Sequence, residues 1–277
     1  MSASATIPRG RWDGSRLVEG ARDLAEETAI ALVYHGATHA VMMATPDDLA
    51  DFALGFSLAE GLVDTVHDLE ALEVVHHAQG IELRMRLADR CAERPRRRLR
   101  HLAGPVGCGL CGLQSLEEVF RPAPPVGAGV PMAAGEVTLA MAALVRGQRL
   151  NATVRAAHAA GFWRPGQGML ALREDVGRHN ALDKLAGALA HACRRGADGA
   201  VVLSSRVSIE MVQKAARLGA SIIIAASAPT ALAVRVAQGC GITLIGAARG
   251  DGFELFSAPH RIRADPWPAA VQQRSQG

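Results

Sequence analysis

The sequence predicts an α/β fold with mostly parallel strands, preceded by a smaller N-terminal α+β subdomain. In the last third of the chain, short aliphatic runs at 200–204, 220–226 and 242–247 alternate with helical segments at 208–218 and 229–238. Aliphatic strands that alternate with helices are typical of a parallel sheet covered by helices. With 277 residues the chain can bury one large core or two modest ones.

The α+β subdomain is predicted from two hairpins and a helix between them. Thr45-Pro46-Asp47-Asp48 predicts a helix start, with Thr45 as candidate cap, proline in the first turn and acids near the positive end of the helix. Gly61 is expected to end this helix. The strands of the two hairpins are expected at 28–34 and 38–44, and at 72–77 and 81–87.

Proline and glycine mark the boundary between the two parts. Residues 121–131 hold four prolines and two glycines, which predicts a linker. A helix is expected at 135–146 and another from Asn180. The predicted organisation is a polar tail at 1–25, an α+β subdomain at 26–121, a cofactor-binding core at 122–264 and a C-terminal tail at 265–277.

Composition excludes several classes of function. Aromatic residues make up only 4% of the chain, too few to predict a surface on which nucleic-acid bases stack. The net charge of +3 is too small to predict binding to nucleic acid by itself. The first 20 residues lack the apolar core of a signal peptide, and the aliphatic run around 222–224 is too short to span a bilayer. We therefore expect a cytoplasmic protein.

Two of the five cysteines, Cys108 and Cys111, stand two residues apart in the glycine-rich run 107–112. Ser115 and Glu118 have the spacing of a capping box, which predicts that a helix begins just after the cysteines. A helix N-terminus favours the thiolate, the reactive form of cysteine. The pattern indicates exposed sulfur chemistry, with a cluster of arginines just before it at Arg94, Arg96, Arg97, Arg98 and Arg100.

Two other roles for the cysteine pair stay open. A structural zinc site normally needs four ligands, and the nearest extra candidates, Cys91 and His101, fit no usual spacing, so we predict no metal. A dithiol–disulfide role is disfavoured because the pair does not open a helix directly after a thioredoxin-like strand. Persulfide transfer fits the pattern best.

A phosphate site is predicted where the parallel strands end. Ligands of such sheets bind beyond the carboxyl ends of the strands. We expect three kinds of group to meet there: hydroxyl groups, helix N-termini and the two arginines Arg206 and Arg249. All three bind phosphate. The loops concerned are Ser204-Ser205-Arg206, Ser227-Ala228-Pro229-Thr230 and Ala248-Arg249-Gly250-Asp251.

Several blocks together resemble the FdhD family of sulfur carrier, or sulfurtransferase, proteins needed for formate dehydrogenase activity. The resemblance runs from about residue 26 to 262. The blocks are Cys108-Gly109-Leu110-Cys111-Gly112, Glu174-Asp175-Val176-Gly177-Arg178-His179-Asn180-Ala181-Leu182-Asp183-Lys184, and Ser204-Ser205-Arg206-Val207-Ser208 through Lys214, with Ser227-Ala228-Pro229-Thr230 and Ala248-Arg249-Gly250.

The resemblance implies a cytidine-deaminase-like core and the function of a sulfur carrier protein. Such a protein takes persulfide sulfur from a cysteine desulfurase and passes it to the molybdenum or tungsten bis(guanine dinucleotide) cofactor of formate dehydrogenase. The role of persulfide carrier falls on Cys108, with Cys111 beside it, and a homodimer is implied. The cofactor-binding residues expected from the resemblance and from the loops are Ala247, Ala248, Arg249, Gly250, Asp251, Gly252, Arg206, Ser227 and Thr230.

This sequence departs from the family pattern at three places, one of which is Ser204-Ser205-Arg206, where the family has Ser-Gly-Arg. Val154-Arg155-Ala156-Ala157 stands where the family has a Thr-Gly pair, and Ala247-Ala248 precedes Arg249 where an aromatic residue is common. A zinc deaminase is one alternative, but it would need a His-x-Glu motif, which the sequence lacks. The other alternative is a non-catalytic chaperone that binds the cofactor and its client enzyme.

Overall fold

The computed structural model describes residues 2–99, 122–250 and 252–264. Cys108, Cys111 and the capping box predicted after them therefore lie outside the described residues, as do Asp251 and the tail at 265–277. Within the described part of the chain, no helix is long and apolar enough to cross a membrane.

The segment predicted as a polar N-terminal tail forms an antiparallel hairpin. Its strands are β1 (Ser4–Trp12) and β2 (Leu17–Ala25), with Trp12 paired to Leu17 next to the turn. Most of its side chains are exposed, so the apolar pattern of a half-buried strand is missing and these strands could not be predicted from the sequence.

The N-terminal lobe is a four-stranded sheet with one helix. The two predicted hairpins are confirmed: β3 pairs antiparallel with β4, and β5 with β6. A parallel pairing of β3 with β6 joins them in the order β4-β3-β6-β5. The elements are β3 (Thr28–Tyr34), β4 (Ala37–Ala44), α1 (Leu49–Ala59), β5 (Leu69–His77), β6 (Gly80–Leu87) and α2 (Arg94–Leu99).

Helix α1 is confirmed, but its predicted cap is wrong. Asp48 precedes the first helical residue, in the left-handed conformation with φ of 51°. Thr45 is buried, and its hydroxyl accepts a hydrogen bond from the backbone N–H of Val176 at 3.1 Å. Thr45 thus connects the lobes and does not cap the helix. Gly61 follows the end of the helix with φ of 70°.

The C-terminal lobe contains a mixed six-stranded sheet in the order β13-β12-β11-β10-β8-β9. The predicted parallel pairing of β10, β11 and β12 is confirmed. The expectation of a mostly parallel sheet is wrong, because the other three neighbouring pairs are antiparallel. The strands are β8 (His158–Arg164), β9 (Gly168–Asp175), β10 (Ala200–Leu203), β11 (Ile222–Ala225), β12 (Thr243–Arg249) and β13 (Gly252–Ser257).

Helices cover both faces of this sheet. Val201, Leu203 and Ile223 pack on one face in a cluster with residues of α5, α6 and α7, whereas Val202 and Ile224 pack on the other face with residues of α3. This alternation follows the two-residue period of a strand. The helices are α3 (Ala134–Gly147), α4 (Arg149–Val154), α5 (Arg178–His191), α6 (Ile209–Arg217) and α7 (Ala231–Cys240); short strands β7 (Met132–Ala133) and β14 (Ile262–Arg263) pair separately.

The predicted linker has no regular structure over 122–131, but it is fixed to the core. Arg261 donates from Nε to the carbonyl of Ala128 at 2.6 Å and from Nη2 to the carbonyl of Gly127 at 2.9 Å. The N–H of Val126 donates to the carbonyl of Cys240 at 2.9 Å. The segment is therefore held against the core by an almost fully buried arginine.

The two lobes meet where α1 crosses α5. Gly55 of α1 and Gly187 of α5 lie in this contact. A Cβ atom on Gly55 would overlap the backbone carbonyl of Asp183, and one on Gly187 would overlap the backbone carbonyl of Asp51. The absence of side chains at these two positions lets the helix backbones touch.

We expect Gly55→Ala and Gly187→Ala to lower the free energy of unfolding by about 3 kcal/mol each, because backbone atoms that cannot rotate away must move apart. Gly239→Ala is the matched control, since Gly239 lies in α7 with open space where the Cβ would stand. That change should be neutral or stabilise by up to about 1 kcal/mol. Urea unfolding followed by circular dichroism measures all three; equal stability of Gly55→Ala and Gly239→Ala would contradict the close crossing.

Candidate functional site

The loops after the parallel strands meet at one edge of the sheet, as predicted. Arg249, at the end of β12, donates from Nε to the carbonyl of Ala226 at 2.8 Å and from Nη2 to the hydroxyl of Ser227 at 3.2 Å. Two of the predicted binding residues are therefore in direct contact, and the Arg249 guanidinium is exposed at the edge. Their role in binding a ligand stays a prediction.

The neighbouring loop after β10 is joined to this pair through the backbone. The N–H of Thr230 donates to the carbonyl of Val207 at 3.0 Å. The hydroxyl of Thr230 accepts from the N–H of Ala233 at 3.2 Å and so caps α7. Arg206, one residue before Val207, is exposed and has no ion pair or side-chain hydrogen bond within the described residues. Arg206, unpaired within the described part of the chain, thus lies two strands along the sheet from Arg249, with β11 between them.

A bulge in β12 determines which residues near Arg249 can reach a ligand. The register with β13 shifts between Gly246 and Arg249, and Ala247 takes the left-handed conformation with φ of 50°. The side chain of Ala248 is consequently buried in the core. Ala248 can therefore contact a ligand only through its backbone, whereas the sequence predicts Ala248 as a binding residue without this restriction. Gly250 and Gly252 lie at the turn into β13.

Asp175 is a buried structural residue. It is fully buried and pairs with the equally buried Lys184 across 2.7 Å. Its carboxylate also accepts hydrogen bonds from the N–H groups of Thr45 and Gly177 and from the side chain of Asn180, at 2.8 to 3.0 Å. Every oxygen of the carboxylate is thus engaged. Because Lys184 also donates to the carbonyl of Thr45 at 2.8 Å, this network joins the two lobes.

His158, Arg178, His179 and Glu210 form a polar cluster at the other end of the same edge. His158 begins β8 and pairs in register with Asp175, after which α5 begins at Arg178. The loop after β10 lies beside His158, since the N–H of Ala159 donates to the Ser204 hydroxyl at 2.8 Å. The edge therefore continues past the predicted loops.

The charges in this cluster influence one another. Burial lowers the pKa of His158, and the positive Arg178 and neighbouring His179 lower it further. Burial raises the pKa of the Glu210 carboxyl, but His179 at 3.9 Å and the Ser208 hydroxyl at 2.6 Å outweigh this effect and bring the pKa to about 2. Glu210 is therefore ionised at neutral pH. Glu210 was not predicted from the sequence as a site residue, although an acidic residue in the first turn of α6 could have indicated it.

A group of possible metal ligands lies at Asp64, Asp68 and Cys91, near the start of α2. Arg94 makes two hydrogen bonds to the Asp64 carboxylate, at 2.8 and 2.9 Å, and Arg90 donates to Asp68 at 2.7 Å. Burial raises the pKa of the Cys91 thiol, which keeps it protonated. Arginines thus neutralise both carboxylates, and the group anchors the start of α2.

A family model described as the FdhD/NarQ family matches residues 25–263. The chain belongs to this family. It is 49% identical over 244 residues to the sulfur carrier protein FdhD of Agrobacterium fabrum, covering 88% of this chain and 90% of that protein. It is 44% identical over 259 residues to the sulfur carrier protein FdhD of Cupriavidus necator, covering 94% and 90%.

A solved structure supports the fold. The crystal structure of a protein from Desulfotalea psychrophila, described as a formate dehydrogenase accessory protein, matches with a TM-score of 0.75 at 23% identity. The match covers 94% of this chain and 100% of that one. At this identity the likeness concerns the mixed α/β fold alone.

We expect Lys184→Met to lower the free energy of unfolding by about 3–5 kcal/mol, because it leaves the Asp175 carboxylate buried without its cation. Arg195→Gln is the control, since it breaks the exposed Arg195–Asp198 ion pair of 2.8 Å and should cost less than about 1 kcal/mol. Thermal and urea unfolding measure both variants. A loss in Lys184→Met no larger than in the control would show that the pair does not hold the lobes.

Proposed function

We propose that this member of the FdhD/NarQ family is a sulfurtransferase that carries sulfur as a cysteine persulfide. It accepts the sulfur from a cysteine desulfurase and delivers it to the molybdenum, or tungsten, bis(guanine dinucleotide) cofactor required by formate dehydrogenase. The relatives named as sulfur carrier proteins support the first part of this proposal. The observation that carries the second part is the contact of Arg249 with Ser227 at an edge where Arg206 has no side-chain partner among the described residues.

Acceptance of sulfur is a thiol–persulfide exchange at Cys108. The Cys108 thiolate attacks the outer sulfur of the donor persulfide, and a new S–S bond forms as the donor S–S bond breaks. The donor leaves as a thiolate and takes up the proton. No net oxidation occurs, because one persulfide replaces another. A low thiol pKa next to the predicted helix N-terminus would favour the attacking form.

Delivery of sulfur is a two-electron step. The outer sulfur of a persulfide is two electrons more oxidised than a metal-bound sulfide. The metal of the cofactor, as the sulfur acceptor, supplies both electrons and is itself oxidised by two, while Cys108 returns to the thiolate. This step needs no oxidant beyond the persulfide. One cysteine is enough for the electron balance, and we assign the carrier role to Cys108 because the family resemblance gives that role to the first cysteine of the motif.

The sheet edge suits a ligand that carries diphosphate groups. An arginine offers a fork of N–H donors that matches phosphate oxygens, and Arg249 keeps part of its fork free while Ala226 and Ser227 hold the rest in place. The helix N-terminus at Thr230 adds backbone donors and a favourable dipole. We infer that this edge, on what we take to be a cytidine-deaminase-like core, receives the guanine dinucleotide.

We expect Cys108→Ala to abolish activation of formate dehydrogenase while the fold survives. Cys111→Ala should have a milder effect, because one persulfide site is enough to carry sulfur. The measurement is formate dehydrogenase activity in a host that lacks its own accessory protein and expresses each variant. Full activity with Cys108→Ala would refute the assignment.

We expect Arg249→Ala to weaken GDP binding by about ten- to a hundred-fold at fixed salt, because a charge-assisted hydrogen bond contributes about 1.5–3 kcal/mol. Persulfide loading of Cys108 by a desulfurase should stay unchanged. Arg146→Ala is the control, because Arg146 is exposed on α3 and unpaired within the described residues. Calorimetry with GDP and mass spectrometry of the persulfide measure the two activities, and unchanged GDP affinity in Arg249→Ala would place the nucleotide elsewhere.

A further inference from the structure

Arg178 is a half-buried arginine with no partner in the part of the chain that the structure describes. Among the described residues its side chain has no hydrogen bond or ion pair, and its Nε is shielded from solvent. Two other partly or fully buried arginines, by contrast, are paired: Arg173 binds Asp51 at 2.7 Å, and Arg261 binds backbone carbonyls. An unpaired buried donor normally costs about 1–3 kcal/mol, so its presence calls for a functional explanation.

Two histidines lie with Arg178. His158 and His179 are both partly buried, and His158 pairs in register with Asp175, three residues before Arg178 and four before His179. The Nε2 atom of His179 is also shielded from solvent and has no hydrogen bond within the part of the chain that the structure describes. The cluster thus combines one forked cation with two imidazoles whose N–H groups can donate.

Two of the acidic groups nearby are already paired with lysines. Asp175 is paired with Lys184, and Asp183 accepts both of its bonds from Lys214 at 2.6 Å. Glu210 accepts from the Ser208 hydroxyl and faces His179 at 3.9 Å. The charge of Arg178 therefore has no carboxylate of its own among the described residues.

This cluster is separate from the Arg249 loops. Arg249 ends β12 and His158 begins β8, and β11 and β10 lie between them in the sheet. Three strand spacings amount to about 14 Å. The two phosphorus atoms of a diphosphate share one bridging oxygen, so one such group cannot occupy both ends. Arg206, on the loop after β10, lies between them.

We infer that Arg178, His158 and His179 form a second oxyanion subsite, one that binds a phosphate or diphosphate group at the β8–β9 end of the edge. The N-terminus of α5, where Gly177 offers no side-chain cap, adds backbone donors on the same side. The inference goes beyond sulfur transfer, because it requires only an oxyanion and neither Cys108 nor Arg249.

Calorimetry with inorganic pyrophosphate tests the subsite. The intact chain should bind two pyrophosphates. Arg178→Gln and His158→Gln should each weaken one of the two binding events by about ten-fold or more, because a charged or forked hydrogen-bond donor is lost. Arg249→Gln should weaken only the other event, and Arg146→Gln should change neither. GDP titrated into Arg249→Gln then distinguishes a subsite that accepts nucleotide phosphates from one that accepts only the free anion.

Two further measurements keep the test decisive if Arg178→Gln does not fold. Arg178→Lys keeps the charge but loses the fork, so a folded Arg178→Lys protein should bind pyrophosphate more weakly than the intact chain. A crystal of the intact chain grown with pyrophosphate should show the anion against Arg178 and His158. The inference is overturned by wild-type pyrophosphate binding in a folded Arg178 variant, or by pyrophosphate density at Arg249 alone.

Discussion

The contact between α1 and α5 at Gly55 and Gly187 holds the two lobes at a fixed distance, and the rest of the structure depends on it. Backbone touches backbone there, because a methyl group at either glycine would overlap a carbonyl. The buried Asp175–Lys184 pair lies beside this contact and adds hydrogen bonds to Thr45 and, through Asn180, to the carbonyl of Met43. A buried ion pair contributes little net stability over an apolar pair of the same shape, but it tolerates only one arrangement of its partners.

This fixed contact positions the functional edge. The carboxylate of Asp175 accepts from Gly177, one residue before α5, so the same network that joins the lobes determines where Arg178 and His179 lie. At the other end of the edge, the bulge in β12 turns Ala248 inward while Arg249 reaches Ser227. Different contacts hold the two ends of the edge in place. A substitution at one end should therefore leave the structure of the other end intact.

Much of the fold follows from local patterns in the sequence. The aliphatic strands β10 to β12 were predictable because they are buried on both faces. The meeting of the loops that carry Arg249 and Ser227 followed from the rule that parallel strands end at one edge. β8 and β9 were missed, because β8 carries Gly161 in its interior and the residues of β9 are mostly half-buried, without a clear alternation. The antiparallel pairs that these strands add make the sheet mixed.

The roles of single polar residues could not be predicted in the same way. Thr45 has the composition of a helix cap, but the contact with Val176, 131 positions away, decides its role. Asp175 and Lys184 are nine positions apart, and no local pattern indicates that both are buried and face each other. The bulge that buries Ala248 depends on the pairing of β12 with β13. Each of these depends on tertiary contacts, which a local reading of the chain does not contain.

Transfer of labelled sulfur tests the central claim most directly, namely that one chain both carries sulfur and presents it to the guanine dinucleotide cofactor. The unmodified protein is loaded with ³⁵S by a cysteine desulfurase, freed of the donor and mixed with the sulfur-free cofactor. The account predicts that the label leaves Cys108 and appears on the cofactor, and that excess GDP slows the transfer without removing the label from Cys108. Label that stays on the protein in the presence of the cofactor, or transfer that GDP does not affect, would contradict it.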